Sequence, residues 1–205
     1  MIRCGDVISG WASSPLARFD DVPWHLTVRA AEIVTAIAAG LDGYERHGDG
    51  VAVHPGARVE DGAMIVGPAI IGSGCFLARN CLVRGGCWLE ADCVVGPGAE
   101  LKSSFLFRGT SLAHFNFVGD AVIGAYVNFE AGAIVANRRN EWDGACVKVV
   151  WEGCGVDTYV EKFGALIGDT ARIGANSVLA PGTILPAGAW VERLQLIDQT
   201  QSQID

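Results

Sequence analysis

The chain has 205 residues, half of them hydrophobic and only 19% charged, with 27 glycines and a formal net charge of −8. That composition argues against disorder, and the acidic balance argues against a nucleic-acid partner, which requires a basic footprint. Residues 1–6 lack the apolar core of a signal peptide, and the longest apolar stretch, residues 30–41, contains Glu32 and is too short to span a bilayer. A cytoplasmic protein with no membrane partner is therefore expected.

Residues 1–19 carry little pattern. Asp20-Asp21-Val22-Pro23 then reads as a helix entrance. From Trp24 the apolar residues Leu26, Ala30, Ile33, Ile37 and Leu41 recur at helical spacing, and Gly40 and Gly43 mark an end. This amphipathic helix belongs to an N-terminal segment, residues 1–48. It is expected to pack on the first coil of the repeat region that begins near Val53 and to close its open end. His25 and His47 read as surface or capping residues.

From Val53 every sixth residue is aliphatic as far as Leu101, and the residue two places earlier is small, Ala or Cys, from Ala57 to Ala99. A period of six suits neither a helix nor a meander. It predicts an all-β solenoid, a parallel β-helix of hexapeptide repeats, in which each unit contributes one short strand and one turn. Cys75, Cys81, Cys87 and Cys93 fill small slots and read as buried structural thiols, while the absence of a CxxC pair argues against a metal site. The phase slips twice by one residue, from Leu101 to Leu106 and from Val118 to Ile123. Residues 138–163 leave the repeat as an inserted arm. Within it Cys146 to Trp151 predicts a strand and Gly153 to Gly155 a turn, so a projecting hairpin is expected. The repeat resumes at Ile167 and runs to Val191, giving a solenoid over 49–194 and a polar, fraying tail over 195–205.

His114 stands in the slipped segment. An imidazole beside a broken turn is a candidate general base, since histidine titrates near neutrality; the plainer reading is a packed or hydrogen-bonded side chain. Arg84 and Lys102 each follow an inward aliphatic and lie one coil apart. They should point outward and stack about 5 Å apart, either as a phosphate clamp or as two solvated charges.

Three stretches carry a resemblance: Glu100-Leu-Lys102, His114-Phe-Asn-Phe-Val-Gly-Asp120, and Asn128-Phe-Glu-Ala-Gly-Ala-Ile-Val-Ala-Asn137, extended by Lys162-Phe-Gly-Ala-Leu-Ile-Gly-Asp169. Together they resemble the acetyltransferase domain of the bifunctional N-acetylglucosamine-1-phosphate uridyltransferases and of related sugar-phosphate nucleotidyltransferase/acetyltransferases. The resemblance covers roughly residues 50–192. It implies a left-handed β-helix assembled as a homotrimer with active sites between subunits, and acetyl-CoA or another acyl-CoA as co-substrate. By position it implies that His114 is the catalytic base and that Arg84, Lys102 and Lys162 hold a sugar phosphate. Asn128 would contact the sugar, Asn137 would stand at the reacting end, and Glu100 would orient His114. Ala131 and Ala175 would leave room for the acyl-CoA. Phe117 stands where the family has a phosphate-contacting Tyr, and Arg138 replaces another Tyr. No Gly-rich nucleotide loop precedes the solenoid, so the uridyltransferase half of such enzymes is not expected here.

The expected activity is transfer of a short acyl group from an acyl-CoA to the amine of an amino-sugar phosphate such as glucosamine 1-phosphate. One alternative is a non-catalytic scaffold or sugar-nucleotide-binding solenoid, favoured by Phe117 and Arg138. Another is an acyltransferase acting on a nucleotide-linked sugar. A zinc-dependent carbonic anhydrase on the same fold would need three gathered histidines, and His25, His47, His54 and His114 are scattered.

Overall fold

The structure is a computed structural model that describes residues 2–141 and 144–200. The hexads form a left-handed parallel β-helix, a triangular prism whose strands stack in three faces. The first face runs from Val51–Val53 to Thr183–Leu185, the second from Arg58–Val59 to Trp190–Val191, and the third from Met64–Val66 to Leu196–Ile197. The second and third faces each hold 7 strands, one per coil; the first has an additional antiparallel edge strand, Glu45–His47, paired to Val51–Val53.

The sixth-residue series fills the prism. From Ile71 to Leu179 its members are at most 1% exposed, and Cys75, Cys81, Cys87 and Cys93 are buried beside them as free thiols. Each short strand is too small to bury its side chain alone, so stability comes from coil-on-coil stacking. The two slipped steps are real features of the ladder. Leu106 stacks on Leu89 and Ile123 on Leu106, each one residue short of three full hexads. The missing residues come out of the turns from the third face to the first, where Ser103 and Asp120 take positive φ of 47° and 50°.

The N-terminal segment corrects one expectation. Instead of one helix there are two, α1 (Pro23–Val28) and α2 (Ala30–Ala38), separated at Arg29. They do not close the end of the prism: α2 packs on the flank, against strands Ala69–Ile71 and Cys87–Leu89. The reason lies in the outward residues of the first face. Ala52, Ile70, Trp88, Phe105, Val122, Leu166 and Ile184 are all buried and form a second core with the N-terminal residues. The open end instead shows the inward residues Val53, Val59 and Ile65 flooring a cavity of about 620 Å³. Residues 4–19 add three 3-10 turns to the same flank, tied down where Ser9 N and Oγ both donate to Asp169 Oδ2 (2.8 and 2.7 Å).

The arm also departs from expectation. It is a hairpin, Lys148–Trp151 paired antiparallel with Cys154–Asp157, but it folds back rather than projecting. Val147, Val149 and Phe163 are fully buried in the flank core, and Phe163 meets Trp24 edge-on (5.9 Å between centroids). Alternation of Val147 and Val149 gives the arm one apolar side, which is buried on the first face. Residues 142–143 of the arm lie outside the described residues. Strand pairing continues to Leu196–Ile197, beyond the expected end of the solenoid at 194, because Leu196 and Ile197 keep the repeat in phase on Val178–Leu179. Of the expected tail, residues 201–205 lie outside the described residues.

Gly86 shows how closely the helix sits. Its φ is +93°, and a Cβ there would fall on the α2 backbone at Ala30 and Ala31. Gly86→Ala is expected to cost about 2–4 kcal/mol from strained dihedral and overpacking together. Thermal unfolding checks it, and an unchanged midpoint would show that α2 is free to move away.

Candidate functional site

The structure sorts most of the candidate residues into two groups at different edges of the prism and leaves Asn128 apart on the second face. One group gathers at the turns from the third face to the first. Arg84 and Lys102 are register partners on adjacent strands of the third face, as the spacing predicted. Asn137 and Lys162 join them where the arm leaves and re-enters, linked by the bond from Phe163 N to Asn137 O (3.0 Å).

Arg84 and Lys102 are not free charges, whereas Lys162 is exposed and makes no side-chain hydrogen bond or ion pair among the described residues. Arg84 Nε donates to Glu100 Oε1 at 2.7 Å, so Glu100 is bound to Arg84 and makes no bond to His114. Lys102 Nζ donates to both oxygens of Asp120, at 2.9 and 2.7 Å. Asp120 also accepts a short hydrogen bond from Asn137 Nδ2. The Lys102 and Asp120 side chains are only 17% and 8% exposed, so removing one partner costs more than at a surface ion pair, because the other charge is left buried and unpaired. The ring of Phe117 reaches the same place: a Cβ on Gly119 would stand 2.8 Å from both Phe117 Cζ and Asn137 Nδ2. Arg138, next in the chain, is exposed.

The second group lines the turns from the second face to the third. Here His114, Ala131 and Ala175 occupy equivalent positions in successive coils. The amides that follow donate to them in a ladder, Gly132 N to His114 O (2.9 Å) and Asn176 N to Ala131 O (3.0 Å). His114 is exposed, and its side chain makes no hydrogen bond among the described residues. Its turn is held from beneath by Asn116, whose amide donates to Glu130 O (2.8 Å) and Ala133 O (3.2 Å). Phe115, at φ 53°, lays its ring over Gly98 in the coil before.

Asn128 faces outward on the second face, in register with Arg172, which is in register with Trp190. These three line a depression of about 510 Å³ together with Glu130, Arg193 and three neighbours. Arg193 holds Glu130 bidentately (2.7 Å twice) and Ala175 N donates to the same carboxylate (2.9 Å), which keeps the Glu130 carboxyl below the usual carboxylate range. Trp190 is 79% exposed beside this pair.

Sequence reasoning missed Asp120, Asn116 and the Arg172–Trp190 pair. Asp120 had a signal, since it sits in a turn one residue short. Trp190 and Arg172 occupy outward strand positions whose one-coil spacing is visible once the three faces are counted. Among the described residues, no group of three or more His, Cys, Asp or Glu side chains is placed to hold a metal ion, and no helix is long and apolar enough to cross a membrane.

No family model matches the chain. Among characterised proteins it is 39% identical over 88 residues to a bifunctional sugar-1-phosphate nucleotidylyltransferase/acetyltransferase of Sulfurisphaera tokodaii, a match covering 43% of this chain and 21% of that one. It is 33% identical over 98 residues to the bifunctional protein GlmU of Methanocaldococcus jannaschii, covering 48% and 23%. The matched stretch is thus less than a quarter of either relative. Among solved structures, a hexapeptide transferase family protein from Anaplasma phagocytophilum aligns over 72% of this chain and 74% of its own, with 18% identity and a TM-score of 0.33, too low to bear on function.

Proposed function

We propose that the chain transfers an acetyl or other short acyl group from an acyl-CoA to the amine of an amino-sugar phosphate, as a homotrimer with its reacting sites between protomers. The observation that carries this reading is the exposed imidazole of His114 at the head of a column of small residues, Ala131 and Ala175, in a chain similar to a protein named as an acetyltransferase.

An ammonium cannot attack a thioester, so the acceptor reacts as the neutral amine, one proton having gone to water, and a base takes a second proton from the nitrogen as the new C–N bond forms. His114 takes that proton and returns it to the thiolate as the C–S bond breaks. Arg84, Lys102 and Lys162 hold the phosphate and keep the amine within reach, turning binding into orientation. Asn128 and Phe117 face the sugar. Ala131 and Ala175 leave room for the pantetheine arm, and the depression with Trp190 and Arg172 offers an indole face and a guanidinium to the nucleotide end.

Assembly is part of the proposal. The second face, with Asn128, and the edge that carries Arg84, Lys102 and Asn137 lie on opposite sides of one prism. One substrate reaches both only if a neighbouring protomer supplies one of them. Met64, Ile134 and Leu196, exposed apolar residues in one outward column of the third face that only Glu100 interrupts, support such packing, since the first face is already covered by the chain itself. A reaction that draws on acyl-CoA also suits the cytoplasm.

The test is thiol release from acetyl-CoA in the presence of glucosamine 1-phosphate, followed by a panel of aminosugar phosphates, nucleotide-linked aminosugars and longer acyl-CoAs. Amine-dependent release is expected. Binding without release from any pair would favour the scaffold reading instead.

A further inference from the structure

Asp120 is the most highly connected buried charge near the candidate site, and nothing in the proposed reaction yet uses it. It is 5% exposed and adopts φ 50°, a left-handed conformation that Asp tolerates better than most residues. Its backbone is pinned on both sides: its N–H donates to Lys102 O (2.8 Å) and its carbonyl accepts from Gly164 N (2.8 Å). The shortened turn and these two bonds aim the carboxylate back over the third face. There it receives Lys102 Nζ and Asn137 Nδ2 together.

The consequence falls on Asn137. A side-chain amide presents donors on one side and an acceptor on the other, and its orientation is set by its neighbours. A carboxylate already receiving an ammonium only accepts, so the Asn137 nitrogen must face Asp120 and the carbonyl oxygen must face away. The missing Cβ of Gly119 gives the amide its space, which the edge of the Phe117 ring shares. Among the described residues, Asn137 Oδ1 accepts no hydrogen bond.

We infer that Asp120 is a positioning residue: by fixing the Asn137 amide with its oxygen outward beside Lys102, it presents an acceptor for an N–H of the substrate amine next to the cation that takes the phosphate. This rests on the acyl-transfer reading above. It predicts an unusual split in the kinetics. Removing the carboxylate releases Lys102 from its neutralising partner, so phosphate binding should not weaken, while the amine loses its orienting acceptor.

The experiment is steady-state thiol release with acetyl-CoA and glucosamine 1-phosphate for wild type, Asp120→Asn and Asp120→Gly, with thermal midpoints measured alongside. Glycine suits the positive φ, so the second variant keeps the turn even if the first strains it. Both variants are expected to lose about tenfold or more in kcat, with KM for glucosamine 1-phosphate no higher and KM for acetyl-CoA unchanged. If wild type transfers and either variant keeps kcat within twofold, the inference is overturned and the acyl-transfer reading stands. It is equally overturned if both KM values rise in step with the loss of kcat, the mark of a merely structural role. A wild type that transfers to no amine overturns both.

Discussion

Replacing His114 with alanine is expected to lower kcat for acyl transfer by about a hundredfold or more, with the thermal midpoint unchanged. The two halves of that expectation have separate causes. The imidazole is exposed and makes no hydrogen bond among the described residues, so its removal falls among surface substitutions that shift stability by about 0.5 kcal/mol or less. The turn itself is held by other groups: the Asn116 amide, the Phe115 ring over Gly98, and the ladder bond from Gly132 N to His114 O. Only the proton transfer is left to lose. The separation of the two groups of candidates supplies a second readout. Protomers carrying His114→Ala and protomers carrying Lys102→Ala, each inactive alone, should complement each other when co-assembled. In a randomly mixed trimer about a quarter of the sites combine an intact histidine edge with an intact cation edge, if neighbours share each site. Recovery of roughly that fraction of activity supports sites between protomers. Undiminished turnover in His114→Ala alone would remove the imidazole from the mechanism.

The interior of this fold was legible because it repeats. A sixth-residue aliphatic and a small partner two places earlier leave one architecture able to bury them, and even the two slipped steps could be read from Leu101 to Leu106 and from Val118 to Ile123. The exterior was less legible because its period is a whole coil. Ile70, Trp88, Phe105, Val122, Leu166 and Ile184 are outward positions spaced by full coils, and only when aligned by face do they show one apolar flank that must be covered. Without that alignment the prism's open end is the only apolar surface in view for the N-terminal helix to cover. The candidate residues were found singly, by resemblance and spacing. Their pairings were not, because Arg84–Glu100 and Lys102–Asp120 cross coils diagonally or through a shortened turn. A spacing argument places two cations on one edge but does not show which carboxylates neutralise them.

Arg139→Leu is expected to cost about 3–5 kcal/mol, the usual penalty for leaving one member of a buried pair without its partner, and to loosen the last coil before the rest. Arg139 is 5% exposed. Its guanidinium meets Asp198 as a fork, Nη1 to Oδ2 at 2.6 Å and Nη2 to Oδ1 at 2.7 Å, and Nη2 also donates to Thr200 Oγ1 at 2.6 Å. These contacts join the root of the arm, just after the fifth coil, to the end of the seventh. In a stacked solenoid stability is a sum of neighbour terms, and the terminal coil has a neighbour on one side only. Losing this cross-link should therefore raise amide exchange most over residues 183–197, and lower the global midpoint by roughly 10 °C. Acid gives an independent check. The Arg139 guanidinium holds the Asp198 carboxyl well below the usual carboxylate range. A carboxyl whose folded pKa is depressed contributes stability that is complete above its unfolded value of about 3.9 and fades as pH falls toward the folded one. Wild type should lose stability below about pH 4, while Arg139→Leu, lacking that contribution, should show a shallower acid limb and converge on wild type. Parallel acid limbs in the two proteins would mean that Asp198 draws its stabilisation from elsewhere, and uniform exchange along all seven coils would mean that the cross-link does not act on the terminal one.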